Sequence, residues 1–168
     1  MNPDAYMITV RNATQDDISR VVGLWEELMD FHVVRDGRFA RAADGAERFR
    51  DYVTERLSDE ASRLLVAEAD GVVAGYCLVA VCRFPPVFAE RDYGAVYDLA
   101  VTAALRRKGV GERLFQSARD WCAERGMKRI EVGIALSNPV SSGFWRKMGF
   151  DPYLAKASLD LPDRIAES

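Results

Sequence analysis

A short basic run that contains glycine, RRKGVG at residues 106–111, is the first candidate for chemistry in this sequence. Gly109 and Gly111 allow the backbone to come close to a ligand, and the N–H groups in the first turn of a helix point outward from its N-terminus. Three cations add positive charge at the same place, and they are Arg106, Arg107 and Lys108. The run therefore predicts a binding site for a polyanion such as a pyrophosphate.

Two well-known phosphate motifs do not fit this run. A P-loop requires Gly-Lys followed by Ser or Thr, whereas the chain has Gly111, Glu112 and Arg113. A dinucleotide-binding fingerprint requires a third glycine where the chain has Leu114. A helix start with a solvated basic turn and no ligand is the alternative that stays open.

A second candidate is the strand-like segment AVYDLAV at residues 95–101, which is apolar on both faces except for Asp98 and therefore indicates the middle of a sheet. A buried carboxylate can accept a proton from a substrate, or it can hold backbone groups or Arg129 in place. Tyr97 beside it is either a proton-transfer group or a packing residue. Because side chains alternate along a strand, we expect at most one of the two to face a substrate.

Other reactive side chains give weaker signals. His32, the single histidine, follows the first predicted helix and could contact a substrate or lie in solvent. Cys77 and Cys82 have no histidine nearby in sequence, so they are poor candidates for a nucleophile. Together with Cys122 they are odd in number and lack CxxC spacing, so we expect neither a disulfide framework nor a metal site.

The composition limits the function classes. A chain of 168 residues that is 49% hydrophobic can bury one core, so we expect a single domain over residues 1–168. The net charge of −3 argues against a nucleic-acid partner, which requires an excess of Lys and Arg. No apolar run reaches the length of a membrane span, and the N-terminus lacks the pattern of a signal peptide. We therefore expect a cytoplasmic protein without a membrane partner.

Hydrophobic periodicity predicts the elements that position these residues. In chain order they are a strand at 8–14, helices at 16–29 and 44–57, strands at 63–69 and 72–82, a strand at 95–101, a helix at 109–125, a strand at 129–136, a helix from Asn138-Pro139 to Gly149, and a strand at 150–161. Asp70-Gly71 is a strong hairpin signal between two of these strands. The order indicates a mixed sheet with helices on its faces. The loop at 83–94, with two prolines, is a candidate lid over a substrate.

The motifs together resemble the GNAT superfamily of N-acetyltransferases. Its signature is a strand of the type DLAV, then [RQ]xxGxG, a helix, a strand and a segment of the type NxxxxxFYxxxGF. The corresponding segments here are residues 98–101, 106–111 and 138–150. The resemblance extends over most of the chain and is most specific at residues 95–150. It implies an α/β fold with a mixed α+β sheet, mostly antiparallel, splayed at the cofactor site and flanked by helices on both faces.

The resemblance also implies acetyl-CoA as cosubstrate and assigns residues to it. Pantetheine would pair with the backbone of Leu99, Ala100 and Val101 like an added strand. The N–H groups of Arg107, Lys108, Gly109, Val110 and Gly111 would hold the pyrophosphate. Asn138 would form a hydrogen bond with the pantetheine arm near the thioester, and Phe144 either closes the wall of that site or belongs to the core.

Direct attack by an amine in a ternary complex is the mechanism that the resemblance implies. A backbone N–H at Leu99 or Ala100 would stabilise the oxyanion. The glutamate base of histone-acetylating relatives falls at Ala95, and the usual tyrosine acid falls at Trp145, so neither side chain is present. Asp98 and Tyr97 are therefore the best candidates for proton transfer. A thiol with a pKa of about 8.5 leaves readily as thiolate, so the missing acid is tolerable.

The identity of the acceptor is the most open question. Five carboxylates could attract a cationic amine or could simply be solvated, and they are Glu26, Glu27, Asp30, Glu90 and Asp92. We expect a small-molecule amine or an amino-sugar in preference to a protein amine. The alternative is a CoA-binding regulatory module without catalysis. We also expect a homodimer that pairs through the strand at 150–161.

Overall fold

The computed structural model describes residues 6–161 as one five-stranded sheet with four α-helices. The strands are β1 (Ile8–Asn12), β2 (Ser62–Ala69), β3 (Val72–Arg83), β4 (Asp92–Val101) and β5 (Ile130–Val132), and the helices are α1 (Ile18–Val33), α2 (Gly45–Arg56), α3 (Val110–Glu124) and α4 (Pro139–Lys147). Within residues 6–161, no helix has both the length and the apolar character that crossing a membrane requires.

The strands lie side by side in the order of the chain, from β1 to β5. The pairs from β1 to β4 are antiparallel, and only β4 and β5 run parallel. The turn between β2 and β3 uses the predicted pair Asp70 and Gly71, both of which have positive φ, as a two-residue hairpin turn requires. The hairpin is thus confirmed.

Helices cover both faces of the sheet. α3 and α4 cover one face, called here the α3 face, where the core includes Val79, Leu114 and Trp145. α1 and α2 cover the other face, called the α1 face, where the core includes Val21 and Tyr76. The predicted fold class, a mostly antiparallel mixed sheet with helices on both faces, is confirmed.

The strand β4 contains one residue more than the segment of β3 with which it pairs. Leu78 pairs with Asp98, but its neighbour Val79 pairs with Val96, so Tyr97 is the extra residue of a β-bulge. A bulge interrupts the regular alternation of side chains between the two faces of a sheet. Residues after Tyr97 therefore point to the opposite face from the one that a regular strand would give them.

The bulge places Tyr97 and Asp98 on the same face. Val96 before the bulge belongs to the core on the α3 face, whereas Ala100 after it belongs to the core on the α1 face. Asp98 is two residues from Ala100 and shares its face, and the Tyr97 hydroxyl lies 3.2 Å from the sulfur of Cys82 on that same face. The expectation that Tyr97 and Asp98 point to opposite faces is wrong, because it assumed a regular strand.

β4 and β5 separate soon after they meet. Their ladder has three pairs, Gly94 with Ile130, Ala95 with Glu131 and Val96 with Val132. β4 continues to Val101, but β5 ends at Val132, so the predicted strand at 129–136 is shorter than expected. Among the described strands, residues 97–101 of β4 consequently have a neighbour on one side only. We call the open space beside this edge the gap.

The predicted strand at 150–161 is absent, which is a second correction. Residues 151–161 lie in an exposed segment without regular structure, held by a hydrogen bond from the Tyr153 hydroxyl to Glu131 and one from Arg38 to the hydroxyl of Ser158. The short strand β5 offers an edge of only three residues, and Pro152 lacks the N–H that a ladder requires. The alternating apolar residues of this segment therefore have no partner strand to pair with.

Candidate active site

The 106–111 loop has the backbone geometry of an anion site. It leads into α3, and two of its residues have positive φ, Arg107 at 62° and Gly109 at 87°. A residue with positive φ between residues with negative φ turns successive N–H groups toward one point, and the first turn of a helix adds further N–H groups directed outward. A concave array of donors therefore precedes and includes the start of α3.

The three cations of this loop differ in where they point. Arg107 and Lys108 are exposed beside the array of N–H groups. Arg106 instead points back to the sheet, where its Nε donates a hydrogen bond of 3.1 Å to the carbonyl oxygen of Val101 and its guanidinium lies 5.1 Å from the centre of the Phe31 ring. Arg106 thus contacts the edge of the gap rather than the mouth of the loop.

The register of β3 and β4 decides which backbone groups face the gap. The N–H of Thr102 donates to the carbonyl of Ala74 in the chain segment that forms β3, at 2.8 Å. Since backbone groups alternate in direction along an antiparallel strand, the N–H of Ala100 also points to β3, and those of Leu99 and Val101 point into the gap. Of the two donors expected for an oxyanion, only the N–H of Leu99 has the required direction.

Three of the residues expected to contact the cofactor converge at the gap. A Cβ atom built on Gly111 would lie 3.3 Å from a ring carbon of Phe144 and 3.5 Å from a methyl carbon of Leu99. A glycine at this position therefore keeps open the space between β4, the start of α3 and α4. Phe144 is partly buried and packs edge-on against Trp145, so it lines this space and also contacts the core.

Asn138 is buried and precedes α4 as its N-cap residue. Its side-chain oxygen accepts a hydrogen bond of 3.1 Å from the N–H of Ser141, which confirms the predicted N-cap. Because the oxygen is engaged in the cap, the side-chain NH₂ group is the part of Asn138 that remains for a ligand.

Asp98 is a carboxylate without a partner. Among residues 6–161 no hydrogen bond or ion pair reaches its oxygens, and Arg129, its expected alternative partner, pairs with Glu131 instead. Burial raises the pKa of Asp98 to about 6, because the charged form loses hydration that no other group replaces. Asp98 is therefore ionised at neutral pH at a cost in stability, as is common for groups that act in a site.

The surroundings of Asp98 contain neutral hydroxyl groups. The contact with Cys82, followed by partial burial, raises the pKa of Tyr97 to about 12, so Tyr97 is not a base at neutral pH. Tyr76, which the sequence analysis missed within an apolar run, is fully buried on the same face, and within the described residues its hydroxyl has no hydrogen-bond partner. Burial, followed by the charge of Asp98, raises the pKa of Tyr76.

The remaining candidates have other roles. Trp145 is buried on the α3 face, on the far side of the sheet from Asp98, and packs against Phe115 at a centroid distance of 5.6 Å. Burial raises the pKa of Cys77, which is therefore an uncharged thiol. His32 lies within α1 rather than after it, and the centres of the His32 and Phe39 rings are 4.8 Å apart. Burial lowers the pKa of His32. A cavity at the opposite end of α3 contains none of the candidate residues.

The five carboxylates expected to attract an amine are all paired with cations. Arg41 binds both Glu26 and Asp30 at 3.1 and 2.7 Å. The other ion pairs are Arg20 with Glu27, Lys128 with Glu90 and Arg83 with Asp92. Within residues 6–161 no cluster of three His, Cys, Asp or Glu side chains could hold a metal ion.

Comparisons with known proteins agree with this geometry. Residues 22–150 match the acetyltransferase (GNAT) family. A proposed ribosomal protein bS18-alanine N-acetyltransferase of Bacillus subtilis is 30% identical over 98 residues, which are 58% of this chain and 60% of that protein. The structure of a tetramutant of the BH1408 protein of Bacillus halodurans has a TM-score of 0.80 at 21% identity and covers 91% of this chain and 99% of that one.

A further structure, of a predicted acetyltransferase from Clostridium acetobutylicum with acetyl-CoA, has a TM-score of 0.75 at 18% identity and covers 92% of this chain and 96% of that one. At these identities the two solved structures show that the fold is shared.

The unpartnered carboxylate of Asp98 leads to a prediction about stability. Its folded pKa is raised above the unfolded value, so its cost is present above about pH 6 and disappears below about pH 4. We expect Asp98→Asn to raise the free energy of unfolding by about 3 kcal/mol at pH 7 and by less than about 1 kcal/mol at pH 4, measured by urea denaturation. A variant that is less stable than the wild type at pH 7 would show that Asp98 has a structural partner.

Proposed function

Because the chain belongs to the acetyltransferase (GNAT) family, and is therefore an N-acetyltransferase that uses acetyl-CoA, we propose that it acetylates a small-molecule primary amine by direct attack in a ternary complex. The observation that carries the proposal is the open edge of β4 between an anion-binding loop and an ionised carboxylate. We further propose that residues 1–168 form one catalytic domain.

The residues present fit the chemical groups of acetyl-CoA. The N–H groups of the 106–111 loop, with Arg107 and Lys108 beside them, suit a pyrophosphate. The gap offers a strand edge on which the amides of pantetheine would pair with the backbone of Leu99 and Val101. Gly111 and Phe144 supply an apolar wall, and the NH₂ group of Asn138 supplies a donor near the thioester. When bound, acetyl-CoA supplies the activated acetyl group.

Leu99 would act on the thioester in the gap, and Asp98 would act on the amine at the α1 face. The N–H of Leu99 points into the gap and would donate to the carbonyl oxygen that gains negative charge. The carboxylate of Asp98, next in the chain, would accept the proton of the amine on the α1 face. Departure of a thiolate whose thiol has a pKa of about 8.5 costs only about 1 to 2 kcal/mol at neutral pH. The reaction can therefore proceed although the buried Trp145 stands where the family's usual tyrosine acid falls.

Two chain segments favour a small acceptor over a protein. The segment that follows α1, at residues 34–44, and the segment at 151–161 contact each other where Arg38 donates to the hydroxyl of Ser158. The second segment also contacts Glu131 at β5, so it extends from β5 to the loop after α1 on the side where Asp98 lies. The space between the segments at 34–44 and 151–161 is too narrow for a folded protein surface to approach Asp98, but a small amine can enter it.

A CoA-binding regulatory module without catalysis is the alternative function. Steady release of free thiol from acetyl-CoA in the presence of a panel of amines, followed with a thiol reagent, would exclude a pure binding module.

A homodimer also remains a proposal, supported by the exposed side chains of Leu154, Leu159 and Leu161. A monomer in light scattering at tens of micromolar protein would contradict the dimer.

The cofactor assignment predicts the effect of a charge in the gap. Gly111→Asp should weaken the binding of acetyl-CoA at least 100-fold, because the new side chain would fill the space between Leu99 and Phe144 and place a negative charge beside the pyrophosphate. Gln116→Glu, which adds the same charge on the exposed side of α3, should bind acetyl-CoA like the wild type. Titration calorimetry measures both. Normal binding by a folded Gly111→Asp protein would show that the loop assignment is wrong.

The proton path predicts a pair of kinetic results. Asp98→Asn should lower kcat about 100-fold and leave the affinity for CoA nearly unchanged, and it should remove a fall in kcat/KM below about pH 6. Trp145→Tyr should change kcat less than about threefold, since Trp145 lies across the sheet from Asp98. Steady-state kinetics across pH test both variants. A nearly silent Asp98→Asn together with an inactive Tyr97→Phe would move the proton transfer to Tyr97.

A further inference from the structure

The charge distribution around Asp98 restricts the kind of amine that the site can take. Every other carboxylate considered as an attractor for the amine has a cation beside it, as described above, with Arg41 shared between Glu26 and Asp30. Glu131, which lies on the same face where β4 and β5 meet, accepts a hydrogen bond from Tyr153 and pairs with Arg129. Among the described residues of this side, Asp98 is the carboxylate without a partner that lies on the sheet and away from full solvent exposure, whereas other unpaired carboxylates such as Asp51 and Glu55 of α2 are exposed. One free carboxylate matches one cationic nitrogen, whereas a polycation requires several.

The walls next to Asp98 are aromatic. Two cations lie beside them, since Arg56 is 4.9 Å from the centre of the Tyr52 ring and Arg129 is 6.0 Å from that of the Phe84 ring. Tyr97 is 52% exposed beside it, and Tyr93 stacks on Phe84 at 4.1 Å along the same face. Tyr52 of α2 contributes from the helix side, where it packs against the core of the α1 face at a centroid distance of 6.2 Å from Phe49. We call Tyr52, Phe84, Tyr93 and Tyr97 the aromatic wall. Aromatic faces bind apolar groups and attract a nearby cation, but they offer few partners for the many hydroxyl groups of a sugar.

Tyr76 supplies a second polar group at the inner end of this site. Tyr76 pairs across the sheet with Ala100, and Leu78, two residues along β3, pairs with Asp98, so Tyr76 and Asp98 are diagonal neighbours on one face. The Tyr76 hydroxyl is buried and has no partner within residues 6–161, which costs stability unless a ligand or water satisfies it. An ammonium group has three donors, so it can bind the carboxylate and the hydroxyl oxygen together.

We propose that the acceptor is a monocationic primary amine with an aromatic or other apolar body, whose nitrogen binds between Asp98 and Tyr76 while its body lies along the aromatic wall. The proposal rests on the proposed function, since it names the acceptor of that same site. It makes Tyr76 a residue that binds the substrate, and it excludes amino-sugars with several cationic nitrogens as the preferred acceptor.

The first experiment compares amines of different classes. The probes are 2-phenylethylamine and hexylamine, glucosamine, an aminoglycoside, and a short peptide with an N-terminal alanine. Acetyl transfer is followed by thiol release, and binding of each amine to the CoA-loaded protein is followed by calorimetry. We expect kcat/KM and affinity for 2-phenylethylamine to exceed those for glucosamine and the aminoglycoside at least 10-fold. A higher value for the sugars or the peptide overturns the proposal.

The two readouts separate this inference from the proposed function. If no amine releases thiol although acetyl-CoA binds, the proposed catalysis fails, and the calorimetric ranking of the amines still decides the acceptor class. A ranking with 2-phenylethylamine first supports the inference, and any other ranking overturns it.

The second experiment tests Tyr76 directly. Tyr76→Phe should raise KM for 2-phenylethylamine about 10-fold without weakening CoA binding, and it should not lower the midpoint of urea unfolding, because it removes a buried hydroxyl that has no partner. Tyr6→Phe, which removes an exposed hydroxyl just before β1, at the opposite edge of the sheet from β5, is the matched control and should behave like the wild type in KM. An unchanged KM in Tyr76→Phe, or a lowered unfolding midpoint, would assign Tyr76 a purely structural role.

Discussion

Beyond Val96 the strand β4 has a neighbour on one side only in the part of the chain that the structure describes, and the remainder of the site depends on that missing neighbour. Backbone N–H and carbonyl groups within a fold are costly when they lack partners, so an unpaired strand edge inside a domain requires an explanation. The chain satisfies one of these groups itself, since Arg106 donates to the carbonyl of Val101. The N–H groups of Leu99 and Val101 remain directed into the gap, next to the loop whose donors converge on an anion site.

The β-bulge at Tyr97 adds a second constraint at the same edge. By inserting one residue it directs Asp98 to the α1 face while Leu99 keeps its backbone in the gap. The carbonyl carbon of a bound thioester and an incoming amine can then meet at consecutive residues of one strand. The arrangement has a cost, because Asp98 is ionised where burial disfavours its charge and no cation within residues 6–161 offsets it. That cost is expected of a group retained for its reactivity rather than for stability.

Local chemistry explains which parts could be predicted from the sequence. Asp70-Gly71 and Asn138-Pro139 determine their turn and helix start through the conformations that their own residues prefer, so both predictions are confirmed. The family and the fold were recognised from the spacing of the motifs, and residues 22–150 match that family. The glycines of the 106–111 loop predict a backbone that closely approaches a ligand, and this part stays a prediction.

The errors concern features that depend on a partner strand. Tyr97 is an extra residue only in relation to β3, so no pattern within β4 could reveal the bulge. The alternation at residues 150–161 indicates which side chains would share a face, but it does not indicate which strand would pair with them. The adjacent strand β5 is too short to serve as that partner. Tyr76 was overlooked because a hydroxyl within an apolar run is usually read as packing, and only the position of Asp98 across the sheet gives it a role.

The central claim is that the edge of β4 at residues 97–101 is open and accepts the cofactor as an added strand. Amide hydrogen exchange, resolved by residue in NMR spectra with and without saturating CoA, tests it most directly. The account predicts that the N–H of Leu99 exchanges much faster than that of Ala100 in the free protein, because only Ala100 donates to β3, and that CoA slows exchange at Leu99 at least about 10-fold. An N–H at Leu99 that is already protected in the free protein, or that saturating CoA leaves unchanged, would contradict the account.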